Sequence, residues 1–357
     1  MKVWHLISNR WNSAISEYAL SAARALRSAG AESLITPLQA SPIETRFLAQ
    51  QFNVQSIDKF GPTRYPKLAS LAANFRPNYI FAYGGPEATA AIFAKRGGKL
   101  IRFFGQRVDE RGAARALASR FGHLHVDRAI APSNFVAIPL KNLLQSDVAV
   151  VPLGCDEEKY FLVESPRGNR PEILIFGRLD PVKGHREFLP VFKQIIRLSE
   201  AHKEPTPLLR IVGLPANLSP VHLWAEADKL EISRQHLEIQ CEAVENVAQL
   251  MSTSTVGLVS SIGSEVICRV AEEFLLCGTP VVTTSVGSLP EVFTHPSFGE
   301  SYNHEDIEGA AIKIYARIRL AYKETRIDRL KRAEFAKKIF SLNRMSQELL
   351  QLLGAIA

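Results

Sequence analysis

The chain has 357 residues, more than a single hydrophobic core usually supports, so two domains of about 150 to 200 residues are expected. Its composition, 46% hydrophobic and 22% charged, is typical of globular proteins and argues against long disordered tails. The sequence has no uninterrupted apolar run of the roughly 20 residues that cross a bilayer, and its first residues lack the pattern of a signal peptide. Four cysteines without a CxxC pair favour a reducing compartment. A cytoplasmic location is therefore expected.

The basic excess of the chain is confined to its first part. The formal net charge is +7, and residues 1–150 carry 19 Lys and Arg against 9 Asp and Glu, a balance of +10. A domain of this charge is attracted to anionic lipid headgroups, polyanionic glycans or nucleic acid, and a solubilising surface is the plainer alternative. Because no RNA-binding signature accompanies the charge, nucleic acid is not expected as a partner.

Short apolar runs alternate with helical patterns in both halves, which is typical of βαβ units on a parallel sheet. The first half has a predicted helix at 14–29, a structural turn at 84–87 that opens another helix, and predicted strands at 3–7, 79–83, 99–104, 128–131 and 148–151. The second half has helices that begin near 184, 220, 244, 266 and 305, and strands at 172–176, 208–212, 237–239, 256–259 and 280–283. The sequence therefore predicts two doubly wound α/β domains, joined by a polar linker at residues 162–171, with ligands beyond the carboxyl ends of the strands.

Residues 177–185 leave a predicted strand and enter a helix. Arg178 and Lys183 place two permanent cations on this loop, and Gly177 and Gly184 allow tight backbone turns. The pair suits a diphosphate, because arginine offers a planar fork and lysine a point charge. The alternative is that both are solvated loop cations.

Residues 263–280 hold two carboxylates next to a predicted helix. A helix that begins at Val266 would present its backbone N–H groups and positive dipole end to a phosphate. Glu265 lies at its start and Glu273 lies eight residues further on, so the two could flank a diphosphate, one at a sugar and one at a ribose. Alternatively, Glu265 is a helix-dipole partner and Glu273 a surface residue, and Glu272 is the rival for either role.

In this order, the two segments resemble the nucleotide-sugar site of GT-B fold retaining glycosyltransferases, specifically glycosyltransferase family 4. The matching residues are Gly-Arg-x4-Lys-Gly at 177–184, the pair Glu265 and Glu273, Gly-Thr-Pro at 278–280, and the turn at 286–291. Matching motifs are closely spaced over residues 128–300, whereas over the first 125 residues the resemblance rests only on the pattern of the sequence.

This resemblance implies two Rossmann-like domains that face each other across a cleft. It assigns residues 1–160 to acceptor binding, residues 161–331 to donor binding, and residues 332–357 to a C-terminal helix that crosses back to the first domain. Arg178 and Lys183 would hold the donor diphosphate and, with Glu265, form the catalytic group. The other positions implied to face the donor sugar or nucleotide are Ile267, Cys268, Glu273, Gly213 and Val244.

The chain departs from the family pattern at two places. Many relatives follow the first glutamate with Gly-Phe-Gly, whereas this chain has Val-Ile-Cys at 266–268 and then Arg269, which could add a third phosphate contact. The loop at 9–13 lacks the common glycine pair. Candidate acceptor-side residues on the basic domain are Asn12, Ser13, Arg102 and Arg107, with a plain surface loop as the alternative.

No Asp-x-Asp or HExxH motif and no Cys/His ligand spacing occurs in the sequence, so no metal and no other cofactor is expected. We therefore expect a cytoplasmic, peripherally membrane-associated retaining glycosyltransferase that moves a sugar from a nucleotide-diphosphate donor to a glycolipid or polysaccharide acceptor, for example lipopolysaccharide. The alternatives are a nucleotide-sugar epimerase of the same fold and a catalytically silent nucleotide-sugar binding protein, the latter suggested by the missing Gly-Phe-Gly.

Overall fold

The computed structural model describes residues 1–11, 13–107, 122–165, 167–263 and 265–355. The chain forms two compact units, of which unit 1 is Met1–Gly154 with Leu342–Ala357 and unit 2 is Cys155–Ser341. Each unit is built on one parallel sheet. The predicted division into an acceptor-binding and a donor-binding domain stays a prediction.

Unit 1 has, within its described residues, seven strands in the order β3-β2-β1-β4-β5-β6-β7. The strands are β1 (Lys2–Ile7), β2 (Glu32–Pro37), β3 (Asn53–Val54), β4 (Tyr79–Ala82), β5 (Lys99–Phe103), β6 (Arg128–Ala131) and β7 (Val148–Val150). The helices are α1 (Ala14–Ser28), α2 (Pro42–Ala49), α3 (Tyr65–Phe75), α4 (Gly85–Ala94) and α5 (Asn134–Leu144), with a 3₁₀ turn at Pro62–Arg64.

The contact between β1 and β2 explains why β2 is a strand although its sequence did not predict one. The strand β2 contains Ser33 and Thr36, which interrupt its apolar run, yet both side chains are buried. The indole Nε1 of Trp4 on β1 donates a hydrogen bond of 2.9 Å to Thr36 Oγ1. A buried hydroxyl with a partner costs little, so β2 tolerates Thr36 inside the sheet.

Unit 2 has, in its described part, six strands in the order β10-β9-β8-β11-β12-β13. They are β8 (Glu172–Phe176), β9 (Leu208–Val212), β10 (Leu237–Gln240), β11 (Val256–Val259), β12 (Val281–Thr284) and β13 (Gly299–Tyr302). The helices are α6 (His185–Ala201), α7 (Pro220–Lys229), α8 (Val247–Thr253), α9 (Arg269–Leu276), α10 (Ile307–Tyr322) and α11 (Arg326–Phe340). Three 3₁₀ turns span Pro181–Lys183, Leu289–Val292 and Pro296–Phe298.

Successive residues of the central strand β8 enter different cores, as strand geometry requires. Ile173 and Ile175 pack into the cluster on one face of the sheet, with residues of α6 and α10. Leu174 packs into the cluster on the other face, with Phe274 and Leu275 of α9. Both faces are therefore covered, which is the doubly wound arrangement predicted from the sequence.

The predicted C-terminal helix over residues 332–357 is wrong in its extent. The helix α11 ends at Phe340, Ser341 is extended, and a separate helix α12 covers Leu342–Gly354. A capping box between Thr325 and Asp328 starts α11 well before residue 332. Only α12 belongs to unit 1, where Ser346 Oγ donates to Ala25 O at 2.8 Å.

The predicted linker at residues 162–171 lies inside unit 2. The backbone N–H of Val163 donates to Ser252 Oγ at 3.1 Å, and Arg167 Nη1 donates to Ala321 O at 2.5 Å. The prediction of an interdomain linker was therefore wrong. It rested on the polar composition of the segment, but these groups form hydrogen bonds with the ends of neighbouring helices.

Candidate active site

Two loops cross closely where β8 and β9 end. The N–H of Gly177 donates to Val212 O at 2.9 Å, and the N–H of Gly213 donates to Gln240 O at 3.0 Å. A Cβ at Gly213 would lie 1.8 Å from Gly177 O, so the crossing leaves no room for a side chain. Gly213 thus offers bare backbone at the carboxyl edge of the sheet, the place where parallel sheets bind ligands.

The turn that carries Lys183 is fixed at both ends. The carboxylate of Asp180 accepts a hydrogen bond from Val182 N at 3.3 Å and begins a 3₁₀ turn. Gly184 closes it with φ +67°, and a Cβ there would lie 1.9 Å from Ser260 O. Since Ser260 Oγ also donates to Lys183 O at 2.9 Å, the turn is held against the end of β11.

Lys183 and Glu265, predicted to act at one site, form an ion pair. Lys183 Nζ donates to Glu265 Oε1, and Ser261 Oγ donates to the same oxygen at 2.6 Å. The Glu265 side chain is 12% exposed and the Lys183 side chain 32%. The structure thus brings together one residue from each of the two motif segments, at the carboxyl ends of β8 and β11.

The backbone of Glu265 is held by the turn after β12. Gly287 has φ +62°, and a Cβ there would lie 2.0 Å from Glu265 O. The N–H of Ser288 donates to the same carbonyl at 2.8 Å. The turn at 286–291 was predicted from its motif. The sequence pattern did not predict its role, which is to position Glu265. It also missed Ser261, whose only sequence signal is its place directly after a buried strand.

Arg178 lies on the same loop as Lys183, but its side chain is more exposed to solvent. Its side chain is 63% exposed, and its Nη2 lies 3.4 Å from Asp180 Oδ2. Its carbonyl is bonded to Nε2 of the buried His185 at 2.8 Å. Burial lowers the pKa of His185, so this imidazole is neutral at pH 7 and donates from Nε2. The backbone under Arg178 is thus fixed while its guanidinium remains accessible.

The helix after Glu265 begins three residues later than predicted. The structure starts α9 at Arg269, with Cys268 as N-cap, so Glu265 lies in a loop and the predicted helical spacing of Glu265 and Glu273 is wrong. The non-helical stretch 265–268 is held by Gly287 and Ser288, and those tertiary contacts outweigh local helix propensity.

Glu273 is buried, contrary to its alternative assignment as a surface residue. Its side chain is 2% exposed, and its Oε1 lies 3.3 Å from Arg269 Nε. Tyr160 hydrogen-bonds to Glu273, and burial raises the pKa of Tyr160 well above its usual value. Arg269 is therefore the ion-pair partner of Glu273, and its proposed contact with a donor phosphate stays a prediction.

The side chains of Ile267, Cys268 and Glu272 are buried. Cys268 Sγ lies 3.2 Å from Ser288 Oγ, and burial raises the pKa of its thiol, so it is protonated at pH 7. Glu272 Oε2 accepts a hydrogen bond from Cys155 Sγ at 3.3 Å. Val244 is half-buried and packs against the same core. Of Ile267 and Cys268, therefore, mainly the backbone groups are available to contact a sugar donor.

Of the acceptor-side candidates, Ser13 and Arg107 follow β1 and β5 of unit 1, and Arg102 lies within β5 near its carboxyl end. Ser13 is the N-cap of α1 and accepts from Ser16 N at 3.2 Å, while Asn12 lies outside the described residues. The guanidinium of Arg102 stacks 4.3 Å from the Phe104 ring, and that of Arg107 lies 5.3 Å from the ring of Phe135.

The sequence analysis did not identify Glu87 as a candidate. It lies in the first turn of α4, is fully buried, and accepts a hydrogen bond from Ser8 N at 2.5 Å. Burial raises the pKa of Glu87, and the positive charge of Arg102 opposes that shift. A glutamate in a Gly-Gly-Pro-Glu turn gives no sequence signal of such burial.

Two absences hold for the part of the chain that the structure describes. Within it, no group of three or more His, Cys, Asp and Glu side chains is arranged to hold a metal ion. In the same ranges, no helix combines the length and the apolar character that crossing a membrane requires. The expectation that the donor is bound without a metal stays a prediction.

Comparison with known families bears directly on unit 2. Residues 156–332 match the model of the family described as glycosyl transferases group 1. The chain is a glycosyltransferase. The matched range contains Arg178, Lys183, Glu265 and Glu273, so the candidate donor-side residues all lie within it. No curated protein sequence matches this glycosyltransferase.

Solved structures resemble this glycosyltransferase over its whole length. The Anabaena protein HepE in complex with UDP has a TM-score of 0.83 at 17% identity and covers 99% of this chain and 100% of its own. A glycosyltransferase from Rickettsia africae has a TM-score of 0.84 at 15% identity, with coverages of 99% and 98%. The lipopolysaccharide outer core galactosyltransferase WaaB has a TM-score of 0.75 at 12% identity, with coverages of 99% and 100%. The prediction of two Rossmann-like domains of the GT-B class is confirmed.

Proposed function

We propose that this glycosyltransferase is a retaining enzyme of family 4 that transfers a sugar from a nucleotide-diphosphate donor to a glycolipid or polysaccharide. The observation that carries the proposal is the ion pair between Lys183 and Glu265 at the carboxyl edge of the sheet in unit 2. The ligands bound to HepE, UDP and UDP-glucose, support a nucleotide-sugar donor. The lipopolysaccharide activity of WaaB supports a glycolipid acceptor.

The chemistry of the proposed step needs cations near the leaving group. Cleavage of the anomeric C–O bond leaves its electron pair on the departing diphosphate oxygen, and pre-placed cations are often the largest catalytic term for such charge. Lys183 and the exposed guanidinium of Arg178 supply two positive charges on one fixed loop. Glu265 holds Lys183 in place and is positioned to accept hydrogen bonds from the sugar hydroxyls. No metal is needed for this step.

Retention of the anomeric configuration follows from a reaction on one face of the sugar. The departing diphosphate oxygen would take the proton from the acceptor hydroxyl, and that hydroxyl would attack from the same side. A double displacement would instead need a carboxylate nucleophile close to the anomeric carbon. Glu265 is the candidate for that role, since its side chain lies beside Lys183.

The basic excess of residues 1–150 supports an acceptor at an anionic membrane surface, with the enzyme cytoplasmic and peripheral at the inner face. Vesicles with and without anionic lipid test this part. Binding that weakens as salt rises is expected, because screening reduces the attraction of exposed charges. Binding that is insensitive to salt would contradict the electrostatic part of the proposal.

A donor panel of UDP, GDP, ADP and CMP sugars, each with and without glycolipid and polysaccharide acceptors, tests the activity. We expect transfer that requires an acceptor, with a product of the same anomeric configuration as the donor. Formation of an epimer without acceptor would support the epimerase alternative. Donor binding without turnover on every acceptor would support the silent binding protein.

A further inference from the structure

Unit 2 contains a cavity of about 680 Å³ on the side of its sheet where the strands begin. Its lining residues precede β8 in the chain, as Leu162 and Arg167 do, or lie at or beyond the last residue of α10, as Tyr322 and Arg329 do. In a parallel βα unit both positions fall at the amino ends of the strands. The cavity is therefore distinct from the site around Lys183 and Glu265, which lies at the carboxyl ends.

Two arginines in the cavity wall are held by the ends of helices. Arg329 is 7% exposed, and its Nη2 donates to Ser252 O at the end of α8. Arg167 Nη1 donates to Ala321 O in the last turn of α10 at 2.5 Å. These contacts fix the planes of both guanidinium groups.

Three further donor atoms of these two arginines are buried without a partner in the described structure. They are Nε of Arg329 and both Nε and Nη2 of Arg167. A buried guanidinium N–H without an acceptor is costly, because it has lost its water and gained nothing in exchange. Three such donors on two adjacent cations call for an anionic acceptor.

The carboxylates of the cavity are already engaged. Glu324 forms a bidentate pair with the buried Arg332, and Glu164 pairs with Arg326 at the exposed rim. Burial lowers the pKa of Arg167 to about 10, with the charge of Arg329 adding to that shift, so Arg167 still carries its charge at pH 7. The charge of Glu324 opposes that shift and also acts on Arg329, but its carboxylate is bonded to Arg332, so among the described groups neither Arg167 nor Arg329 has an ion-pair partner of its own.

We infer that this cavity is a second ligand site, which binds the phosphate group of a small phosphomonoester between Arg167 and Arg329. A phosphate has three acceptor oxygens, and arginine forks match that geometry better than they match a single hydroxyl. Leu162 and the ring of Tyr322 also line the cavity and offer apolar surface to the organic part of the ligand. This site goes beyond the proposed donor and acceptor sites.

Inorganic phosphate is the probe, titrated against the full chain at constant ionic strength with chloride as the reference anion, and the melting temperature is measured. Binding to the folded state raises the melting temperature by mass action. The Arg178→Ala/Lys183→Ala double variant removes the two cations of the donor loop and should keep the phosphate effect. Arg167→Gln should weaken phosphate binding about tenfold or more, since a charge-assisted contact is lost.

Arg170→Gln is the matched control, because Arg170 lies on the same segment but donates to Gln235 O outside the cavity. It should bind phosphate as the parent does. Equal affinity in Arg167→Gln, no phosphate effect in any form, or loss of the effect in the donor-loop variant would overturn the inference. If Arg167→Gln does not fold, arginine-selective labelling of the parent replaces it. Phosphate should slow the labelling of Arg167 but not of Arg170, and equal rates would overturn the inference.

Discussion

The contact between Lys183 and Glu265 joins the two motif segments, which the sequence alone could not show. The pattern predicted that both residues serve one ligand, and the structure joins them through one carboxylate oxygen that Ser261 also contacts. The position of Arg178 on the same loop supports a shared role in binding a diphosphate. Its guanidinium is exposed and is therefore accessible to such a ligand.

Lys183→Ala is expected to lower the turnover of the transfer reaction at least about tenfold, because one charge-assisted contact is worth about 1.5–3 kcal/mol. The measurement is the steady-state rate with the donor found in the panel. Lys229→Ala is the control, since Lys229 is an exposed lysine of α7 in the same unit. Unchanged turnover in a folded Lys183→Ala variant would reject the catalytic role.

A buried histidine in unit 1 predicts a pH dependence of stability. His5 is fully buried, its Nδ1 lies 2.9 Å from Tyr83 Oη, and burial lowers its pKa to about 3. Unfolded histidine has a pKa near 6.5, so between pH 6.5 and 3 the unfolded chain binds a proton that the folded chain excludes. The free energy of unfolding should therefore fall with pH below about 6.5, by up to about 1.4 kcal/mol per unit from this group.

Urea unfolding at several pH values between 7 and 4 measures this slope. His5→Gln should have a shallower slope than the parent, whatever its stability at pH 7. His125→Gln, which replaces an exposed histidine of the same unit, should keep the parent slope. Identical slopes for His5→Gln and the parent would show that His5 does not exclude the proton.

Turns, more than strands or helices, position the candidate site. Gly184 and Gly287 both have positive φ, and both pack against backbone of the β11 end or of the loop that follows it. The sequence showed these glycines as parts of motifs. It could not show which backbone each one touches, because those contacts join segments about 20 to 80 residues apart.

Gly184→Ala should destabilise unit 2 by about 2–5 kcal/mol, the sum of left-handed backbone strain and overlap with Ser260 O. Gly30→Ala is the matched control, because Gly30 also has positive φ, +80°, but has open space around its Cβ position. It should cost only the strain, about 1–2 kcal/mol. Chemical denaturation of the two variants gives both values, and equal costs would contradict the close approach at Gly184.

The sequence predicted best those elements whose apolar pattern is local. The predicted strands over 128–131, 172–176 and 208–212 match β6, β8 and β9 in full. It missed β2, whose buried Thr36 is hydrogen-bonded to Trp4 of β1, and β13, which begins at Gly299 against the β12 backbone. It placed the start of α9 too early for the same reason. In each case the deciding contact comes from a distant segment.

At the scale of the whole chain, the last helix completes a unit formed by the first residues. Within unit 1, Tyr79 Oη donates to Leu353 O at 3.1 Å, and Arg344 Nη2 donates to Leu153 O at 3.1 Å. The return of the C-terminus to the first domain was predicted only from the family resemblance. It could not locate the break at Ser341, because the apolar positions of α11 and α12 run on without a helix breaker.

Truncation after Ser341 should therefore unfold unit 1. The lost helix buries Met345, Leu349, Leu352 and Leu353, and at about 1.5–3 kcal/mol each this burial is comparable to the whole stability of a domain. Calorimetry should show the transition of unit 2 alone, and the fluorescence of Trp4, fully buried in the parent, should become that of an exposed indole. Removal of residues 355–357 is the control and should leave both units folded. A truncated chain with a buried Trp4 would contradict the account.

The central claim is that Lys183 binds the donor diphosphate while Glu265 binds the donor sugar. Calorimetric titration of the nucleoside diphosphate and of its sugar conjugate into the parent, Lys183→Ala and Glu265→Gln tests it most directly. The account predicts that Lys183→Ala weakens both ligands about tenfold or more, whereas Glu265→Gln weakens the sugar conjugate more than the nucleoside diphosphate, because it loses the sugar contact in addition to its support of Lys183. Unchanged affinity for both ligands in Lys183→Ala, or equal losses for both ligands in Glu265→Gln, would contradict it.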